Sequence, residues 1–128
     1  MILLVPEHAA GTLRGSAREL VTAGRTLQAA LGGEIHALLL GPGAAAAAAE
    51  IAKYGVQAHH SEDAGYEPFK AQVWTHAAAE AATKLGAKAV LVPASRSGLS
   101  YAPRVAVRLN AALLEDVAGV EIVEQRQP

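Results

Sequence analysis

Apolar residues along the chain follow two patterns. Short apolar runs occupy 2–5, 35–40 (with His36 its one polar position) and 89–92, the last closed by Pro93, and a shorter one begins at Val56. Runs of this length without polar interruption suit strands buried on both faces of a parallel sheet. Between them the apolar positions recur with a helical period. Positions 17, 20, 21, 23, 27, 30 and 31 are apolar, which predicts an amphipathic helix over 16–31, stopped by Gly32 and Gly33. Ser16 and Glu19 have capping-box spacing at its start. An alanine-rich helix is predicted over 44–54 with Gly55 as its stop. A third is predicted over 68–85, with Pro68 in the first turn and Gly86 after the end. The fourth covers 103–109 and ends near Asn110. The last apolar set, 111–123, is broken by Glu115, Asp116 and Gly119, and splits into two strands, the second at 120–123.

The predicted order is β-α-β-α-β-α-β-α-β-β. Strands alternating with helices imply an α/β, three-layer architecture. An open, mostly parallel, Rossmann-like sheet carries helices on both faces, with an antiparallel edge at the C-terminal end. At 128 residues the chain is one domain, expected over 1–125, with 126–128 reading as the start of a linker.

Composition then removes function classes. The 11 basic and 12 acidic residues give a net charge of −1 without a basic stripe, so nucleic acid is not an expected partner. With no cysteine, disulfides, thiol catalysis and thiolate metal sites drop out. No cationic leader and no apolar stretch of ~18 residues is present, so neither a signal nor a membrane span is expected. A cytoplasmic, bacterial location is the expectation.

Two loops have chemistry to offer. Gly41-Pro-Gly43-Ala-Ala-Ala46 fits G-x-G-x-x-G/A between a strand and a helix, and Glu62 and Asp63 lie about 20 residues on, where a ribose-binding acid would stand. Pro42 removes one N–H from that turn, and the motif follows the second strand rather than the first. A tight turn needing small residues is therefore the expectation. The second loop, Pro93-Ala-Ser-Arg-Ser-Gly-Leu-Ser100, offers Ser95, Arg96, Ser97 and Gly98 before a helix, a setting suited to phosphate or carboxylate. The competing use of those serines is to cap the helix.

The remaining polar residues form no reaction centre. His8, His36, His59, His60 and His76 lack metal-ligand spacing, and His59 and His60, adjacent on a strand, point to opposite faces. Glu7-His8 and Glu115-Asp116 read as polar strand residues. Arg104 and Arg108 sit i, i+4 on the fourth helix, free to meet an acidic partner or plain solvent. No catalytic residue and no metal ligand is assigned.

Taken whole, the chain resembles the N-terminal domain of the electron transfer flavoprotein alpha subunit. The resemblance rests on Ile2-Leu-Leu-Val-Pro-Glu-His8 with Gly11-Thr-Leu13, on Gly33-Glu-Ile-His-Ala-Leu-Leu-Leu-Gly41, on Ala52-Lys-Tyr-Gly-Val56, and above all on 93–109 with Ala102-Pro-Arg-Val-Ala106, followed by Leu114-Glu-Asp116. It covers residues 1–125. Where the family commonly has a charged pair after Gly98, this chain has Leu99-Ser100.

The resemblance implies a non-enzymatic, partner-docking domain in a heterodimeric electron carrier. Its FAD would be bound mainly by a following domain of the same subunit, and AMP would sit in the beta subunit rather than here. The implied partners are the beta subunit and flavin dehydrogenases such as acyl-CoA dehydrogenase. Arg104 and Arg108 are the expected partner contacts. The alternative is an adenine-nucleotide-binding module of universal-stress-like type, which wants a glycine-rich loop after the fourth strand, where this chain has Gly98 alone.

Overall fold

The apolar runs become the parallel part of a six-stranded sheet. The computed structural model describes residues 1–116 and 119–125, so the linker expected at 126–128 lies outside the described residues. In chain order the elements are β1 (Ile2–Leu4), a hairpin of β2 (His8–Ala9) and β3 (Thr12–Leu13), α1 (Ser16–Leu31), β4 (Ile35–Leu40), α2 (Ala44–Ala52), β5 (Gln57–Ser61), a 3-10 turn (Ala64–Tyr66), α3 (Ala71–Leu85), β6 (Ala89–Pro93), α4 (Arg96–Leu109), β7 (Ala111–Asp116) and β8 (Val120–Gln125). The sheet order is β5-β4-β1-β6-β8-β7. β1 pairs in parallel with β4 and β6, β4 with β5, and the C-terminal strands β8 and β7 add antiparallel.

Burial explains why β1 is central. Ile2, Leu3, Leu4 and Val5 are all fully buried. Alternate residues feed two separate cores. Ile2 and Leu4 pack with Leu20, Leu39, Ile51 and Leu91 under α1 and α2. Leu3 and Val5 pack with Trp74, Val92, Tyr101 and Val105 under α3 and α4. Each such side chain is worth about 1.5–3 kcal/mol when fully buried, so a polar residue at either parity would be costly. That two-sided demand is the reason the strand reads as an unbroken apolar run.

Several boundaries differ from expectation. The segment after β1 forms the β2–β3 hairpin, turned by Ala10 and Gly11, both at positive φ. Too short to show a period, it gave no sequence signal. The predicted capping box does not form. Gly15 takes the N-cap position of α1 without a side-chain cap, and Ser16 lies inside the helix. The chain enters α1 from the hairpin, held by Arg14 N–H donating to Glu7 O (3.0 Å), which brings the helical conformation in one residue early. α2 ends at Ala52 rather than 54. α3 starts at Ala71, not at Pro68, because Phe69 turns inward to pack on Trp74 and Tyr101 (ring centroids 5.5 and 5.8 Å).

The largest correction is α4, which begins at Arg96 rather than 103. Ser95 Oγ accepts the Gly98 N–H (3.1 Å) and caps the helix there. Pro103 sits inside the helix on its exposed side. A proline there deletes one backbone bond. The helix continues through that gap, with Tyr101, Ala102, Val105 and Ala106 buried in the core on either side of it.

Candidate functional site

Strand order places the loops after β1 and β6 side by side. From β1 the chain adds β4 and β5 on one side, then returns to add β6 on the other. This is the topological switch point where open α/β sheets bind ligands. A cleft of about 710 Å³ opens there, lined among others by Glu7, Arg14, Phe69, Trp74, Ser95 and Arg96. Its volume is in the range of small-molecule sites.

The polar groups of the cleft are largely committed to one another. Ser95 Oγ–H donates to Glu7 Oε2 (2.6 Å) while accepting the Gly98 N–H, so the chain segments that leave β1 and β6 are tied across the switch point. Gly98 is required there because a Cβ would overlap the carbonyl oxygen of Pro93. His8 donates from Nε2 to Leu40 O (2.8 Å) and accepts the Gly11 N–H at Nδ1 (3.1 Å). Both ring nitrogens are thus occupied and the Glu7-His8 pair acts as a strand terminus. Beneath Glu7, the Tyr101 hydroxyl is buried without a hydrogen-bond partner. Burial first, and the Glu7 carboxylate second, push its pKa far above the ordinary phenol value.

The Gly41–Ala46 turn is occupied by the protein's own carboxylate. Glu62 accepts from the N–H groups of Gly43 (2.9 Å) and Ala45 (2.7 Å), at the N-terminus of α2 where a phosphate would bind. Those N–H groups hold its pKa below the usual carboxylate value. Gly43 faces the hairpin turn. A Cβ on it would lie 2.5 Å from Gly11 N and 2.6 Å from Ala10 C. The small residues are there for that close approach, as a tight turn requires. Glu62, expected as a ribose acid if the motif bound a nucleotide, instead caps the helix.

The N–H groups of Gly43 and Ala45 are used by Glu62, and that of Gly98 by Ser95. Arg96 and Ser97 remain at the rim of the cleft, in the first turn of α4.

Arg104 and Arg108 lie elsewhere, exposed along α4. With Val107 they border a shallow groove of about 430 Å³ against Gln72 and Thr75 of α3. Val107 is 83% exposed, the largest exposure among the large apolar side chains of the described residues. Arg108 donates to His76 Nδ1 (3.2 Å), and His76 also approaches Glu80 (3.2 Å).

Sequence reasoning missed a second pairing. His36 and His59, 23 residues apart, meet across β4 and β5 with Nδ1 and Nε2 2.8 Å apart. The signal was present in the alternation of buried faces, but needed the β4–β5 register to be read. His59 and His60 do face opposite ways, since His59 aligns with Leu38 and His60 with Leu39. Among the described residues no group of three or more potential ligands is placed to hold a metal ion, and no helix is long and apolar enough to cross a membrane.

Comparison with known proteins converges with this architecture. Over 124 residues the chain is 30% identical to subunit LctC of a lactate dehydrogenase (NAD(+),ferredoxin) from Acetobacterium woodii. The match takes in 96% of this chain and 30% of that subunit, so the chain spans about a third of its relative's length. The family model of the electron transfer flavoprotein domain matches residues 2–127. With the mostly parallel sheet and its antiparallel C-terminal edge in place over the same residues, the chain belongs to the electron transfer flavoprotein domain family.

Proposed function

We propose that residues 1–125 are the N-terminal, partner-docking domain of an alpha-type subunit in a heterodimeric electron carrier. In this reading the flavin is FAD, held mainly by a second domain of the same subunit. The beta subunit packs against this one and holds AMP. Electrons arrive from flavin dehydrogenases, of which acyl-CoA dehydrogenase is one type, and leave to an acceptor. The domain itself carries no catalytic step.

The observation that carries this reading is the commitment of N–H groups at the starts of α2 and α4 to the chain's own side chains. Glu62 accepts N–H groups at the start of α2 and Ser95 one at the start of α4, groups of the kind that a phosphate would use. The exposed α4 ridge of Arg104, Val107 and Arg108 supports a docking role, since an apolar side chain flanked by unburied guanidiniums suits a partner surface with carboxylates at its edge.

The test is a small-molecule extract of the purified chain, read by absorbance and mass spectrometry. The expected extract is free of flavin. Stoichiometric FAD would overturn the division of labour. Adenine nucleotide without flavin would favour the universal-stress-like reading.

A further inference from the structure

The edge of the sheet carries a row of polar groups unrelated to the cleft. Glu34, just before β4, uses both carboxylate oxygens. Oε1 receives His36 Nε2 (3.1 Å), and Oε2 receives the side-chain amide of Gln57 (3.2 Å). On its other side His36 meets His59, Nδ1 to Nε2, at 2.8 Å. The two rings are tilted by 13° with centroids 5.0 Å apart. With so short a nitrogen contact, that separation places the imidazoles edge to edge and almost coplanar, joined by one N–H···N bond.

Proton counting follows from this geometry. A carboxylate only accepts, so His36 Nε2 carries a hydrogen. In the neutral pair His36 Nδ1 is then the acceptor and His59 Nε2–H the donor. One added proton is tolerated, because a single imidazolium still donates to the other ring. A second proton puts two N–H groups head to head at 2.8 Å, and the bond is replaced by repulsion between like charges.

We propose that the Glu34–His36–His59 row is a one-proton latch on the edge strand β5. It holds β5 against β4 while the two rings share at most one proton, and releases the edge on the second. His36 is buried and its partner strand is the last of the sheet on that side. β5 runs directly into Glu62, the carboxylate that caps α2, and Ser61 O receives Gly41 N–H (2.8 Å). Release of β5 therefore also uncovers the N–H groups of Gly43 and Ala45. The latch thus controls access to the anion-ready start of α2.

The charged surroundings do not supply another partner for the second proton. On β4 the acid is Glu34, already shared with Gln57. On β5, His60 and Glu62 belong to the opposite, α2 side of the sheet. On the β1 side the amino terminus of Met1 lies against Gly33 and adds positive charge. On the α3 side, Glu80 is taken by His76 and Lys84 (3.2 and 3.4 Å). Burial, then the His36 charge, hold the His59 pKa below its ordinary 6.5.

The test is amide hydrogen exchange on the whole chain, corrected for the intrinsic effect of pH, between about pH 7.5 and about pH 5. Protection at 57–61 is expected to fall at least tenfold more than at β1 and β6. The fall should vanish in His59→Gln and persist in His60→Gln. An equal fall in His59→Gln, or one shared with β1 and β6, overturns the latch. Should His59→Gln fail to fold, nitrogen-15 titration of the wild-type imidazoles decides. Two steps separated by more than about one pH unit are expected, and two independent steps at ordinary values would overturn the proposal.

Discussion

Gly98→Ala separates local propensity from tertiary constraint. Gly98 lies in the first turn of α4, where alanine in place of glycine is worth about 1 kcal/mol in helix propensity. A substitution judged from sequence would therefore stabilise the protein. The structure predicts the reverse, because the new Cβ would overlap the Pro93 carbonyl oxygen, and Pro93 is the buried last residue of β6. To clear it the first turn of α4 must retreat by more than an ångström. That movement pulls Ser95 Oγ away from both the Gly98 N–H (3.1 Å) and Glu7 (2.6 Å).

Loss of the cap costs about 1 kcal/mol, and loss of a hydrogen bond to a carboxylate about 1.5–3 kcal/mol. Disturbed packing of Tyr101, fully buried one turn on, adds to both. Set against the propensity gain, a net destabilisation of about 2–4 kcal/mol is expected, a large part of the 5–15 kcal/mol that holds a typical domain together. Urea unfolding followed through Trp74, the single tryptophan, reads this directly. Ser97→Ala, in the same turn and with no overlap to relieve, serves as the control. A Gly98→Ala midpoint equal to or above wild type would refute the reasoning, since it would mean that the β6–α4 approach is not the constraint on this residue.

Three further outcomes are expected. Tyr101→Phe removes a buried hydroxyl that has no partner. Unfolding free energy should stay level or rise by up to about 1 kcal/mol, rather than fall by the 1–3 kcal/mol of a lost buried bond. Glu62→Gln should abolish an acid-dependent part of the stability. Its folded pKa lies below the ordinary carboxylate value of 4.5, so the contribution is present above 4.5 and lost as pH falls through the folded value. The variant should therefore unfold at a less acidic pH, and an unchanged acid midpoint would count against the cap. Arg104→Glu should weaken binding of a beta-type subunit at least tenfold by calorimetry, about 1.4 kcal/mol, with no change in the chain's own unfolding midpoint.

Much of the candidate site was legible only as a list of residues. The loop 93–100 announced hydroxyls and a guanidinium, but not that Ser95 would spend its oxygen on Gly98 and its proton on Glu7, 88 positions away. The G-x-G-x-x-A spacing was visible, yet its use depended on Glu62 folding back from the end of β5. The fourth helix was read only from Pro103 onward. Two buried residues on either side of it, Tyr101 and Ala102 before and Val105 and Ala106 after, keep it inside the helix.

What the sequence determined by itself was the alternation of elements and the parity of the strands. Residues 2–5 and 89–92 are apolar at every position, and 35–40 at every position but His36, because both faces of those strands are covered, and that pattern is local enough to read without coordinates. The antiparallel C-terminal pair was likewise readable from the short break at Glu115–Gly119. The tertiary structure alone decided which polar groups find each other. His36 with His59, Ser95 with Glu7 and Glu62 with Gly43 are separated by 23, 88 and 19 residues. Their meeting depends on strand order and register, which are set by the packing of the whole sheet rather than by any one segment. Hydrophobic parity repeats along the chain and is written many times over. A hydrogen bond between distant side chains is written once, in the space where two loops cross.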